Sequence, residues 1–186
     1  IVYGKAKDAG DILVLLGSST GRDGIHGVTF ASKNLHAKSE EERPAVQIPD
    51  PFMKKLIMDS VMEALETGKV KAVKDFGGGG LVCCSSELAY KGGMGAEVDV
   101  SEVHQREPGM LPFEVMISES QERMIVSLDK KDLKTVAKIF EKNGVPYKVI
   151  GQVLQGNRFI VKDRGKVVAD LPVDLLANVP TIAQKA

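Results

Sequence analysis

The stretch from Val70 to Gly93 constrains the fold most. Residues 70–74 are strand-like and run into Asp75-Phe76-Gly77-Gly78-Gly79-Gly80, after which 81–90 carry helical spacing up to Gly92-Gly93. Consecutive glycines lose more backbone freedom on folding than any other residues, so they break a strand or helix rather than continue it. The pattern predicts strand, glycine loop, helix, and such a unit needs a sheet to join and a second layer to cover its helix.

The flanking sequence supplies both. Ile12-Leu13-Val14-Leu15-Leu16 is a continuous apolar run ending at Gly17, as in a strand buried on both faces. Asp50-Pro51 is a helix start and Gly68 its stop. Between them Phe52, Leu56, Ile57, Ser60, Val61, Ala64 and Leu65 share a face, with Met53, Met58 and Met62 expected to pad it. Ala96, Val98 and Val100 alternate with acidic residues in strand period. A short helix is expected over 111–118, a strand over 123–128, and a helix through Leu133, Val136, Ala137 and Phe140 to Gly144. Hairpin-like strands near 148–154, 158–162 and 166–170 close the chain, while 34–44 is a polar, charged excursion. The fold class expected is α+β: a mixed β-sheet flanked by helices in three layers, with one domain over 1–176 and a connector over 177–186.

At 186 residues the chain can bury roughly 70% of its extended surface without staples. Lysine plus arginine and aspartate plus glutamate both total 25, so no nucleic-acid footprint or anionic-membrane surface is indicated. Cys83 and Cys84 are adjacent, which suits core packing in a reducing cytoplasm better than a staple or a metal site. The absence of an initiator methionine, of a leader and of an apolar span suggests a cytoplasmic fragment.

Asp75 carries the strongest chemical signal. A carboxylate at a strand end, beside backbone without side chains, is able to hold magnesium near a phosphate; the competing role is an N-cap for the following helix. Residues 17–27 form a second glycine-rich segment containing Arg22 and His26. It is not a P-loop, since three residues rather than four separate Gly17 from Gly21 and Arg22-Asp23 follows. It reads either as an anion-gripping loop, with Arg22 as a bidentate donor, or as a tight turn. Glu119-Ser120-Gln121, at a helix–strand junction, suits an amide- or ribose-bearing ligand or a plain surface turn. His26, His36 and His104 lack zinc spacing, and no Gly-x-Ser-x-Gly elbow is present.

Several strings together resemble the large subunit of the phosphoribosylformylglycinamidine synthase family: 21–27 (GRDGIHG) with Thr29-Phe30-Ala31-Ser32, then Val46-Gln47-Ile48-Pro49-Asp50-Pro51-Phe52, 75–81 (DFGGGGL), Ser85-Ser86-Glu87, 117–124 (ISESQERM) and Ala169-Asp170-Leu171-Pro172-Val173. The likeness spans nearly the whole chain and corresponds to the first domain of that subunit resembling the C-terminal domain of aminoimidazole ribonucleotide synthetase. It implies that Asp75 is a magnesium ligand, that Gln47 and Glu119-Ser120-Gln121 bind formylglycinamide ribonucleotide, and that Arg22 and His26 lie near the site. It implies ATP-dependent amidine formation with ammonia from a glutaminase subunit, in a complex with a small accessory subunit. The catalytic histidine and most of the ATP site fall in a preceding domain, so no catalytic residue is expected here and the chain alone is expected to be inactive. Lys74, Gly78 and Cys83-Cys84 depart from the pattern, which has glutamine or histidine, alanine, and small hydroxyl residues there. The alternatives are a relative acting on another substrate, of the selenophosphate synthetase, thiamine monophosphate kinase or hydrogenase maturation type, and a non-catalytic assembly module.

Overall fold

The computed structural model describes residues 1–25 and 48–178. The strands are β1 (Ile12–Gly17), β2 (Val70–Asp75), β3 (Gly95–Asp99), β4 (Arg123–Leu128), β5 (Tyr147–Leu154), β6 (Arg158–Asp163) and β7 (Lys166–Pro172). The helices are α1 (Pro51–Glu66), α2 (Gly80–Gly92), α3 (Pro112–Ile117), α4 (Leu133–Lys142) and α5 (Val173–Ala177). Among the described residues the strands form one seven-stranded mixed sheet in the order β2-β4-β1-β5-β3-β6-β7, antiparallel throughout except for β3 against β6.

Strand alternation explains the three layers. All six residues of β1 are buried. Leu13 and Leu15 enter a core with Leu81 and Leu88 of α2, Val115 of α3 and Val173 of α5, while Ile12, Val14 and Leu16 enter the opposite core with Ile57 and Val61 of α1 and Val136 and Phe140 of α4. A strand between two helical layers must be apolar at every position, which is why this run lacks polar alternation.

Three local expectations are corrected. In α1 the buried residues are Ile57, Ser60, Val61 and Ala64, whereas Phe52 is 73% exposed and Met58 and Met62 are more than half exposed. At about 100° per residue Phe52 lies some 140° from Ile57, so the apolar stripe is narrower than the sequence suggests. Val100 leaves strand geometry for a 3₁₀ turn, Val100–Glu102. Of the three closing strands only β6 and β7 form a hairpin, and β5 inserts between β1 and β3. The boundary expected at 176 falls inside α5, and 179–186 lie outside the described residues.

Candidate functional site

The sheet order brings three strand ends together at one end of the sheet. β2 ends at Asp75, paired with Met124, and β1 ends at Gly17, paired with Arg123, so the glycine loop after β2, the loop after β1 and the turn before β4 are neighbours. Loops projecting from strand ends on a rigid sheet are suited to holding a ligand.

Buried polar contacts knit these loops together. The Gly21 amide donates to Ser120 Oγ at 2.9 Å, the Glu119 amide donates to Asp23 O at 2.8 Å, and Ser118 Oγ donates to Gly21 O at 2.6 Å. Ser120 Oγ also donates to the buried Asp23 carboxylate, which pairs with Arg106. Across the turn, the Gly79 amide donates to Glu119 Oε1 at 2.8 Å. Beneath it lies Arg123, 3% exposed: its guanidinium donates to Ser120 O (2.8 Å), Ser118 O (2.6 Å) and Thr20 Oγ1 (2.9 Å) and sits 4.4 Å from the Phe76 ring centroid. Desolvation pulls the Arg123 pKa down to about 10, so the group remains a cation near neutral pH. Glu122 adopts φ 57°, an uncommon left-handed conformation outside glycine, and its carboxylate pairs with Lys54 at 2.7 Å.

These elements enclose a cavity of about 280 Å³ lined by Lys54, Asp75, Phe76, Gly77, Gly78 and the run 119–123. Of the residues singled out from sequence, Asp75, Glu119, Ser120 and Gln121 meet there. Gln47 and His26 lie outside the described residues. Arg22 is turned to the protein, its guanidinium bonding Glu114 at 2.8 and 3.1 Å, Glu107 at 3.0 Å and Gly109 O at 3.1 Å. Its backbone neighbours Gly21 and Asp23 touch the 118–120 turn, so Arg22 braces the loop beside the cavity.

Asp75 does not cap α2, whose N-cap is Gly79 in a left-handed conformation. Its side chain is 71% exposed, with Lys74 Nζ 3.7 Å away; Lys74 also approaches Glu87 at 3.4 Å. Burial alone would lower the Lys74 pKa, but the Glu87 and Asp75 carboxylates outweigh it and raise the pKa. No cluster of three or more metal-binding side chains occurs among the described residues. An accessible single carboxylate fits magnesium, which keeps waters and takes one or two carboxylates plus phosphate oxygens, rather than an ion caged wholly by protein.

Cys84 is 1% exposed in the core, and burial drives its thiol pKa far up, as expected of a packing residue. A larger cavity of about 420 Å³ between α3, β6 and β7 is lined by Phe113, Met116, Phe159, Val168 and Leu171 and offers no group to bind a phosphate. No helix among the described residues is long and apolar enough to cross a membrane. Sequence reasoning missed Thr20, Asp23, Lys54 and Arg123. Thr20 and Asp23, in the glycine-rich 17–27 segment, and Arg123, closing the 119–123 run, lay inside stretches the sequence singles out; Lys54 gains importance only from contacts across the fold.

Residues 8–164 match the family model of AIR synthase related protein, C-terminal domain. Phosphoribosylformylglycinamidine synthase subunit PurL of Thermococcus sibiricus is 54% identical over 100% of the chain, and that of Pyrococcus abyssi 55% identical over 98%. In each case the chain spans 26% of the relative's length. Among solved structures, Thermotoga maritima PurL complexed with FGAR superposes with a TM-score of 0.89 at 37% identity, covering 100% of this chain and 31% of that one. The same protein complexed with ATP gives 0.83 at 34%, covering 100% and 29%, and in the PurLQS structure 0.83 at 33%, covering 100% and 30%.

Proposed function

The chain belongs to the family described as AIR synthase related protein, C-terminal domain, which residues 8–164 match, and on that premise we propose that it forms the acceptor-binding and magnesium-binding side of a phosphoribosylformylglycinamidine synthase. The observation that carries this reading is the convergence of Asp75 with Glu119, Ser120 and Gln121 on one polar cavity. The overall reaction converts formylglycinamide ribonucleotide, ATP and glutamine-derived ammonia to the amidine, ADP and phosphate in purine biosynthesis. The chain spans about a quarter of its relatives' length, so the ATP site, the glutaminase subunit and the small accessory subunit belong to the larger cytoplasmic assembly.

Each residue takes a role its chemistry permits. Asp75 would hold magnesium, and the ion would supply neutralisation of the charge on the phosphoryl group being transferred. Gln121 presents an amide able to donate and accept, as a substrate that is itself an amide requires. Glu119 is fixed by the Gly79 amide and orients the substrate from the opposite wall. The Ser120 hydroxyl is buried against Gly21 and Asp23, so Ser120 serves the substrate by setting the turn. By the family likeness Gln47 contributes a further amide, and Arg22 braces the loop beside the cavity.

Calorimetric titration of formylglycinamide ribonucleotide in the presence of magnesium tests the reading. Binding to the unmodified chain, weakened at least ~10-fold by Gln47→Ala or Gln121→Ala, supports it, one lost charge-free hydrogen bond in a desolvated site being worth about that factor. Identical affinities in all three proteins would refute it.

A further inference from the structure

Arg123 lines the inner end of the cavity and touches both halves of the proposed site, with its guanidinium nitrogens turned to protein acceptors. Its nitrogens bond the carbonyls of Ser118 and Ser120, which frame Glu119 and Gln121, and the hydroxyl of Thr20 on the neighbouring loop. The guanidinium carbon of the same side chain lies over the ring of Phe76, the residue between Asp75 and Gly77, 4.4 Å from its centroid. The halves are also joined by the Gly79 amide on Glu119 Oε1. We infer that Arg123 is a positioning residue that couples the two halves, fixing the 118–121 turn to the 75–79 loop so that the acceptor groups and the Asp75 carboxylate are set as one unit.

The geometry asks for arginine in particular. A planar fork reaches three acceptors in different directions while its charged centre stays over an aromatic ring; a lysine ammonium is a single point donor without that fork. Two of the acceptors are backbone carbonyls in a buried turn, which lose their partners when the fork goes. Arg123→Lys keeps a basic, hydrogen-bonding side chain but removes the planar fork, so it tests the geometry of the fork.

The coupling is visible before any substrate is added. In amide hydrogen exchange on the chain, Arg123→Lys is expected to raise the rates of Gly79, Glu119 and Gly21 together by about 10-fold or more, while Leu15 and Ile125 in the centre of the sheet keep theirs. Phe76→Leu, which spares the carbonyl bonds, is expected to loosen Gly79 and spare Gly21; Thr20→Val is expected to do the reverse. These two variants carry the test should Arg123→Lys fail to fold. Unchanged rates at Gly79 and Gly21 in all variants, or acceleration spread equally over the sheet, would overturn the inference, the latter showing a purely structural role.

The ligand arm rests on the function proposed above. With the unmodified chain, magnesium is expected to tighten formylglycinamide ribonucleotide binding, and Arg123→Lys to shrink that enhancement severalfold. An enhancement retained in full overturns the coupling. No binding by the unmodified chain overturns the proposed function and leaves the exchange result to decide on Arg123.

Discussion

At the scale of single residues, Asp75 and Lys74 show how the site is set. Because Asp75 is 71% exposed and caps nothing, Asp75→Asn is expected to leave stability within ~0.5 kcal/mol, as surface changes do, while weakening magnesium-dependent ligand binding. Lys74 spreads its charge over Asp75 and Glu87, so Lys74→Gln is expected to strengthen magnesium binding by relieving competition at Asp75; isothermal titration with magnesium alone reads the direction, and weaker binding would contradict it. Glu114 supplies a pH test. Its carboxyl pKa is held below the ordinary value first by the Arg22 hydrogen bond and then by the Leu111 amide. A depressed folded-state pKa contributes stability above the ordinary carboxylate range and loses it as pH falls through the folded value. Denaturation of Glu114→Gln is therefore expected to differ from the unmodified chain near neutral pH and to converge with it in acid.

At the scale of elements, the glycine loop separates backbone demand from tolerance. Gly80 has φ 64° and an added Cβ would meet Ser118 O at 2.2 Å, so Gly80→Ala is expected to cost about 1–3 kcal/mol in chemical denaturation and to displace the 118–121 turn. Gly78 has open space and no left-handed backbone, so Gly78→Ala is expected to be neutral or to stabilise by up to ~1 kcal/mol. Elements with a clear period were legible from sequence: β1, the α1 capping by Asp50, α2 and α4 stand where periodicity puts them. Phe52 was misread because helical spacing reports a stripe but not its width. The Arg22 ties to Glu107 and Glu114 were illegible because their partners lie 85 and 92 residues away, and pairing at that range is set by sheet order. The two halves of the site came from short strings, while the Arg123 brace joining them appears only once β2 and β1 flank β4.

For the whole molecule, the sheet supplies rigidity and its loop-bearing end supplies chemistry. The apolar inner faces tolerate little: Leu15→Ala, at a fully buried position, is expected to cost about 2–5 kcal/mol. The chain alone is expected to form no amidine from formylglycinamide ribonucleotide, ATP and ammonia, and turnover by the purified chain would contradict the division of labour proposed here. The central claim is that the cavity bounded by Asp75 and 119–122 holds the acceptor. Backbone chemical-shift mapping of the chain with formylglycinamide ribonucleotide and magnesium tests it most directly. The predicted result is a saturable set of shifts centred on 75–79 and 119–122; shifts centred instead on the apolar cavity of α3, β6 and β7, or none at saturating ligand, would contradict it.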